Sequence, residues 1–375
     1  MSRQAAFIFD DVLWQHELRE DHPMKPIRLR YTYELLDSYR AFEKPSSELA
    51  QPRQATEDEV LSFHTKEYLE AVKSLSQGER VQNEAKFGFA RFGDNPFYAG
   101  MYTAALWSTG ASLTAAEMVA SEKVQAAFNI SGGLHHAMPD HASGFCTFND
   151  PVVCINSLLA RGAKVAYIDI DAHHGDGVQH AFYDTDTVLT ISLHESGAFL
   201  FPGTGFVEEM GAGKGKGFSV NLPLYPFTTD DTYLWAFREV VPRLVEAYKP
   251  DFVVSQLGID THYLDPLTHL ALTVQGFTEV VKEISQLTPC WIALGGGGYD
   301  LGAVARAWTS AYGVMSGQDF PDRIPDRYRE WYGLSTLSDG EAPQVSAEQM
   351  RNARQFAEKS VLELQRSIFP IHRLK

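Results

Sequence analysis

Ten consecutive residues, Tyr167-Ile168-Asp169-Ile170-Asp171-Ala172-His173-His174-Gly175-Asp176, carry three carboxylates and two imidazoles directly after an apolar run. Charge at that density is costly where an apolar strand enters a core, because buried charges must be paired or must hold a metal. In an extended chain alternate side chains point the same way, so Asp169, Asp171 and His173 share one face. At about 3.3 Å per residue, Asp171 and His173 stand roughly 7 Å apart, a gap that one cation bridges. A capped strand end with a structural ion pair is the simpler alternative, but such a pair has no use for five ionisable groups.

The elements that must position this cluster are legible as periodicity. Near-continuous apolar, β-branched runs at 124–131, 164–171, 187–194, 218–224, 251–260 and 290–295 predict strands covered on both faces. Helix-period segments at 149–160, 231–248 and 276–287 lie between them, with Asp231 and Thr273 at or near N-terminal caps. Strands alternating with helices predict an α/β fold with a doubly wound, mostly parallel sheet flanked by helices. The N-terminal third reads as mostly helical, with helices expected over 27–39, 58–74 and 101–119. A loop-rich stretch, 317–343, precedes a last helix at 347–364, which is expected to dock on the same domain. The expectation is one domain, 1–375, with a helical extension from 317 to 375.

Ligands of an open parallel sheet bind beyond the carboxyl ends of its strands. Five expected strand ends are polar or glycine-rich: Gly132-Gly133-Leu134-His135-His136, the Asp/His cluster, Ser192-Leu193-His194, Asp260, and Gly295-Gly296-Gly297-Gly298-Tyr299. The His135-His136 pair alone is equally compatible with a satisfied loop, but beside carboxylates each imidazole can be oriented by an aspartate. The four glycines alone are a flexible turn. They also let backbone approach a ligand and carry Tyr299 into a pocket, where its phenol can donate to a developing oxyanion.

Bulk properties narrow the class. Among 375 residues, 44% are hydrophobic and 21% charged, the balance of a globular protein with a large core. A formal net charge of -16 argues against nucleic acid as a partner and favours cationic ligands such as lysine-rich peptides. Three cysteines, Cys146, Cys154 and Cys290, form no C-x-x-C pair, which suits a reducing cytoplasm. Residues 1–11 lack the basic start of a secretion signal, and no run approaches the ~18 apolar residues of a membrane span.

His135-His136, the 169–176 cluster, Gln256-Leu257-Gly258-Ile259-Asp260 and Leu294-Gly295-Gly296-Gly297-Gly298-Tyr299 together resemble the zinc-dependent histone deacetylase superfamily. His22-Pro23-Met24-Lys25-Pro26 with Arg28, Gly144-Phe145-Cys146 and Phe201-Pro202-Gly203-Thr204-Gly205 resemble its class I branch and, in pattern, the bacterial acetoin-utilisation and histone-deacetylase-like proteins. The resemblance runs from about 22 to 316. It implies an arginase-like fold and a metal held by Asp171, His173 and Asp260, zinc or equally iron(II) for such an oxygen/nitrogen set. It makes His136 the general base and later the acid, oriented by Asp176. His135, paired with Asp169, tunes the electrostatics, and Tyr299 completes the oxyanion site. Asp94 is the loop aspartate that grips substrate backbone, where an ordinary Asx turn is the plain alternative. Gly144, Phe145 and Phe201 belong to the acyl-lysine tunnel, Leu267 to the apolar pocket beside it, and Arg28 to a cavity below the metal. Structural potassium is implied at Asp169, Asp171, His173, Ser192 and Leu193, and at Phe182, Thr185, Val188 and Phe218. The implied partners are proteins or peptides bearing acylated lysines.

One departure and three rivals bear on this. Met138-Pro139-Asp140-His141 follow the histidine pair where eukaryotic class I enzymes are basic, so no inositol-phosphate or corepressor surface is implied. An arginase-like ureohydrolase needs D-A-H-x-D and D-x-D-x-x-D-P for two manganese ions. Here Gly175 and His262 stand at two of those carboxylate positions. An acetylpolyamine deacetylase would share the chemistry, and its eukaryotic form has glutamate where this chain has Leu267. A non-catalytic scaffold on the same fold would have lost a ligand, a dyad histidine or Tyr299, all of which are present.

Overall fold

The computed structural model describes residues 4–15, 18–288 and 290–375. Its centre is one eight-stranded sheet: β1 (Ala5–Ile8), β2 (Ser47–Ala50), β3 (Ala126–Asn129), β4 (Val165–Asp169), β5 (Val188–Glu195), β6 (Ser219–Leu224), β7 (Phe252–Gln256) and β8 (Trp291–Leu294). Their order is β2-β1-β3-β8-β7-β4-β5-β6, with every neighbouring pair parallel. The carboxyl ends therefore share one edge, and β8 and β7, last in sequence, fill the space between β3 and β4.

Strand residues alternate between two buried faces, which explains why the sequence runs are continuously apolar. Phe7, Phe128, Ile168, Ile191 and Trp291 face the helices Asp230–Tyr248, Val274–Ser285 and Leu301–Ser316. Ile8, Ala127, Tyr167, Val254 and Ile292 face the helices Met101–Ala120 and Asp150–Leu159. No described helix is long and apolar enough to cross a membrane.

The expected strands and helices are present with shifted ends, and several local expectations need correction. The N-terminal third is not simply helical: β1 and β2 add two strands of four residues each, too short for periodicity to declare. The single helix expected over 58–74 is two, Glu57–Val60 and Lys66–Ser76. Thr56 caps the first through a reciprocal bond with Glu59, and Thr65 caps the second by accepting from the Tyr68 N–H. Thr273 does cap Val274–Ser285, through the Gly276 N–H. Asp231 caps nothing, because Asp230–Tyr248 starts one residue earlier and the Asp230 carboxylate instead receives the backbone N–H and hydroxyl of Thr273. The long apolar helix Leu301–Ser316 is an element that the periodicity reading lacks.

The C-terminal extension packs on the sheet. Ala353, Ala357, Val361 and Leu364 of the helix Ala347–Ser367 lie in the core, and Ser360 donates to the Pro223 carbonyl of edge strand β6 at 3.0 Å. Within 317–343 a short helix, Asp326–Tyr332, forms, and Asp339 pins the loop beyond it to the body of the protein. The Asp339 side chain, 3% exposed, meets His262 at 3.0 Å and Arg306 at 2.7 Å, and accepts from the Val274 N–H at 2.7 Å. Burial opposes its charge, but the His262 and Val274 bonds and the nearby cations hold its pKa down at about 2. A carboxyl lowered in the folded state stabilises above its unfolded value and loses that contribution as pH falls through the folded one. At about 1.4 kcal/mol per tenfold change in proton affinity, the contribution is on the order of 2 kcal/mol. Asp339→Asn is therefore expected to melt a few degrees lower at pH 7. In melts from pH 5 to pH 2 the gap to the parent closes, and a gap constant across that range contradicts this role.

Candidate active site

Asp169 ends β4, and the turn after it folds back so that consecutive polar groups are used on different partners. One Asp169 oxygen receives the His135 Nδ1 at 2.8 Å and the Tyr167 hydroxyl at 2.7 Å, and the other receives the Asp171 N–H. Asp171 gives one oxygen to the Gln256 amide (2.6 Å) and the Gly297 N–H (2.7 Å). Asp260, just past β7, gives one oxygen to the Ala172 N–H at 2.7 Å. The remaining oxygen of each carboxylate faces the His173 Nδ1, at 3.1 Å for Asp171 and 2.8 Å for Asp260. All three residues are buried, and one donor atom from each lies within 4.8 Å of the others.

This donor set fits one divalent cation. Burial, then the Asp171 carboxylate beside it, pushes Asp260 up to about 8, the mark of negative charge crowded without enough compensation. Burial disfavours a charged His173, but its bonds to Asp171 and Asp260 outweigh that and raise it. A proton and a metal ion are thus alternatives for the same Nδ1 lone pair. Three protein donors leave further positions for water and substrate.

The two adjacent histidines are driven apart in charge. Against burial, Asp169 and Asp171 push His135 up to about 9. Burial, then the neighbouring His135 charge, pulls His136 down to about 4. Their Nε2 atoms stand 3.0 Å apart, and the His136 Nδ1 is 2.7 Å from Asp176, the first residue of the helix Asp176–Phe182. Asp176 therefore holds His136 in the tautomer that carries its lone pair on Nε2, the atom that the Nε2–H of a charged His135 faces.

Glycines admit these contacts. A β-carbon on Gly175 would lie 2.5 Å from the Asp169 carboxylate and 3.3 Å from the His135 ring, so no acidic side chain fits there. One on Gly297 would lie 2.1 Å from the Asp260 carboxylate. The other carboxylate position of a binuclear site holds His262, and the nearby Asp265 is committed elsewhere. Asp265 accepts from the backbone N–H of Tyr299 and of Leu267, both at 2.9 Å, while His262 is bonded to Asp339. His174 turns away to Thr204 at 2.8 Å. Among the described residues, Asp171, His173 and Asp260 are the one group placed to hold a metal.

Aromatic rings border the site. Tyr299 is anchored by its N–H on Asp265, with its ring edge-on to Phe145 at 5.8 Å. Burial, then the Asp260 and Asp171 charges, raises its phenol well above the ordinary range, so it stays a donor. The Phe201 ring, 46% exposed, lies 5.1 Å from the His136 ring and 6.4 Å from that of His173. Gly144 presses on the His136 ring, and Phe145 comes next with φ 69°, a left-handed conformation that a bulky residue rarely adopts. Leu267 is half-buried beyond Asp265, and Asp94 is exposed on the 91–95 loop. Below, Arg28 donates to the Gly298 carbonyl at 2.9 Å and lines a cavity of about 100 Å³ with Met24, Leu29, Leu134 and Phe145. Cys146 is buried, and burial raises its thiol, which leaves it a poor nucleophile.

The residues named for potassium fall into two neighbourhoods. Asp169 and Ser192 are register partners of β4 and β5, next to the Leu193 carbonyl that Tyr233 approaches at 3.4 Å. Phe182 and Thr185 share a turn ahead of Val188, the first residue of β5, and the Phe218 carbonyl accepts from Thr190 of that strand.

Sequence reasoning missed the residues that hold the reacting loop. Asn149 donates to the His135 and Ala137 carbonyls (3.1 and 3.0 Å), and Asp150 accepts from the N–H groups of Gly133 and Leu134 (3.0 and 2.9 Å). In the sequence both read only as a helix start. Their full burial was the missing signal. Gln256, which stands in a motif without a role of its own, ties Asp171 to the Gly133 carbonyl.

Sheet, strand-end chemistry and one-metal geometry together define the arginase/deacetylase class of α/β proteins. The profile of the histone deacetylase domain matches residues 22–315, and the chain belongs to that family. It is 39% identical to the acetoin utilization protein AcuC of Bacillus subtilis over 336 residues, 88% of this chain and 86% of that one. To human histone deacetylase 1 it is 36% identical over 335 residues, 88% of this chain and 68% of that one. The crystal structure of a histone deacetylase homologue from Aquifex aeolicus superposes with a TM-score of 0.86 at 32% identity, covering 96% of this chain and all (100%) of the other. The chain is a deacetylase by family, in a family that is generally metal-dependent and acts on acetylated substrates.

Proposed function

We propose that this deacetylase hydrolyses the amide of Nε-acyl-lysine side chains in proteins and peptides, with one divalent ion, zinc or iron(II), held by Asp171, His173 and Asp260. The observation that carries the reading is the His136 ring 5.8 Å from that of His173 in the triad, backed by Asp176 at 2.7 Å, with burial favouring its neutral form and Tyr299 against Phe145. When bound, the ion supplies Lewis-acid polarisation of the amide carbonyl and a more acidic water. His136 accepts the water's proton at Nε2 and later delivers a proton to the leaving lysine amine. Asp176 keeps the ring in register for both transfers. His135, charged beside Asp169, stabilises the negative charge that develops as water adds to the carbonyl and the tetrahedral intermediate forms. Tyr299 donates a hydrogen bond from its phenol to the carbonyl oxygen as charge develops there. Phe145 and Phe201 flank the aliphatic stem of the lysine, with Leu267 beside it. Exposed apolar side chains close in sequence to Asp94, Phe201 and Leu267, namely Phe92, Phe199, Phe206 and Leu264, favour a peptide over a free polyamine as the substrate. Potassium, in the two neighbourhoods around Ser192 and Val188, is proposed as structural.

A turnover panel of acetyl-lysine peptides, longer acyl-lysines and acetylpolyamines, run on metal-quantified protein, tests the assignment. Activity confined to the polyamines, or two manganese ions per chain, would overturn it. Chelation gives a separate prediction. Removing one equivalent of metal is expected to abolish turnover and to lower Tm by several degrees, because the ion binds only the folded donor set. Zinc or iron(II) restores both. A chelated protein with unchanged Tm and activity contradicts a resident ion at this triad.

A further inference from the structure

His22 opens the segment His22-Pro23-Met24-Lys25-Pro26, to which the proposed reaction gives no role. Its side chain is 1% exposed, yet it makes two directed bonds. The backbone N–H of Met24 donates to Nδ1 at 3.1 Å. A ring nitrogen that accepts carries no proton, so the hydrogen of the neutral ring sits on Nε2. That Nε2 lies 3.1 Å from the Asp94 carbonyl oxygen and donates to it. The ring also meets Phe145, centroids 4.5 Å apart at 78°, and Phe145 meets Tyr299. Arg19 donates to the neighbouring Gly93 carbonyl at 3.3 Å. Two carbonyls of the 91–95 loop are thus fastened from behind. Among the described residues no hydrogen bond or ion pair engages the Asp94 carboxylate itself, which is exposed.

We propose that His22 is a positioning residue that holds the Asp94 loop and the Phe145 ring in one arrangement, ready for the backbone of a peptide whose acyl-lysine passes Phe145. The inference rests on the acyl-lysine reading above. A carboxylate on an untethered loop would have to be ordered at every encounter, and that ordering entropy is lost from binding. The fixed imidazole removes the cost beforehand. Its partners are Met24, Asp94 and Phe145, so its effect belongs to substrate binding rather than to the bond-breaking step.

The test compares His22→Phe, His22→Gln, Asp94→Ala and the double variant His22→Phe/Asp94→Ala. Each is assayed on an acetyl-lysine peptide and on free Nε-acetyl-lysine, which has no flanking peptide bonds. His22→Phe keeps a ring against Phe145 and removes both hydrogen bonds. It is expected to raise the peptide KM about tenfold, the size of one lost buried bond, with kcat within about twofold. Free acetyl-lysine is unaffected. His22→Gln retains an Nε2–H donor and recovers most of the peptide affinity. The double variant is no weaker than Asp94→Ala alone, since both remove the same function. An unchanged peptide KM in His22→Phe, an equal loss on both substrates, or additive effects in the double variant overturns the proposal. If the parent turns over neither substrate, the acyl-lysine reading itself falls and takes this role with it. An active parent with an indifferent His22→Phe removes only the role of His22.

Discussion

His136→Ala is expected to lower kcat by about three to four orders of magnitude while the protein still holds one equivalent of metal. A positioned general base and acid contributes roughly 10²–10⁴, and here one imidazole serves both transfers. No other group stands ready to replace it. His135 is the nearer neighbour, but Asp169 and Asp171 hold it in the charged form, without a lone pair to offer. The substitution leaves Asp171, His173 and Asp260 intact, and their mutual contacts do not run through His136. Steady-state kinetics with metal analysis of the same sample checks both halves. A variant with near-parent turnover refutes the base assignment, and loss of the metal along with activity would assign His136 to the ligand shell instead.

Tyr299→Phe is expected to lower kcat by about 10²–10³, some 3–4 kcal/mol of transition-state stabilisation, with little change in KM, Tm or metal content. The phenol sits where burial and the Asp260 and Asp171 charges keep it protonated, so at neutral pH it is a donor and not a base. Phenylalanine preserves the backbone bond to Asp265 and the edge-on contact with Phe145, which confines the loss to one hydroxyl. A donor that acts only on the developing oxyanion affects kcat and kcat/KM alike. Equal turnover in parent and variant would remove Tyr299 from the oxyanion site, and a raised KM alone would make it a ground-state contact.

Much of this is legible in the chain because burial and charge conflict locally. An apolar run ending in Asp169, Asp171 and His173 announces a strand whose end must do something with its charges. Parallel strands follow from runs that are apolar on both alternating faces, as Ile168 and Tyr167 are in β4. Four-residue strands such as β1 and β2 carry too few alternations to register. The break at 61–65 is written in Thr65, a capping residue, but the longer periodic pattern outweighs it.

By itself, the sequence determined the kinds of groups and their spacing along each strand end, since alternation and turn chemistry are local. The tertiary structure decided which groups face one another. Asp260 reaches His173 across 87 residues because β7 lies beside β4, an adjacency that no local pattern encodes. The same packing gives Gly175 its meaning: the space where a second carboxylate would stand is filled by the Asp169–His135 contact. It also sets which histidine is charged and which is neutral, because burial and neighbouring charges fix proton affinity, and both are properties of the assembled fold.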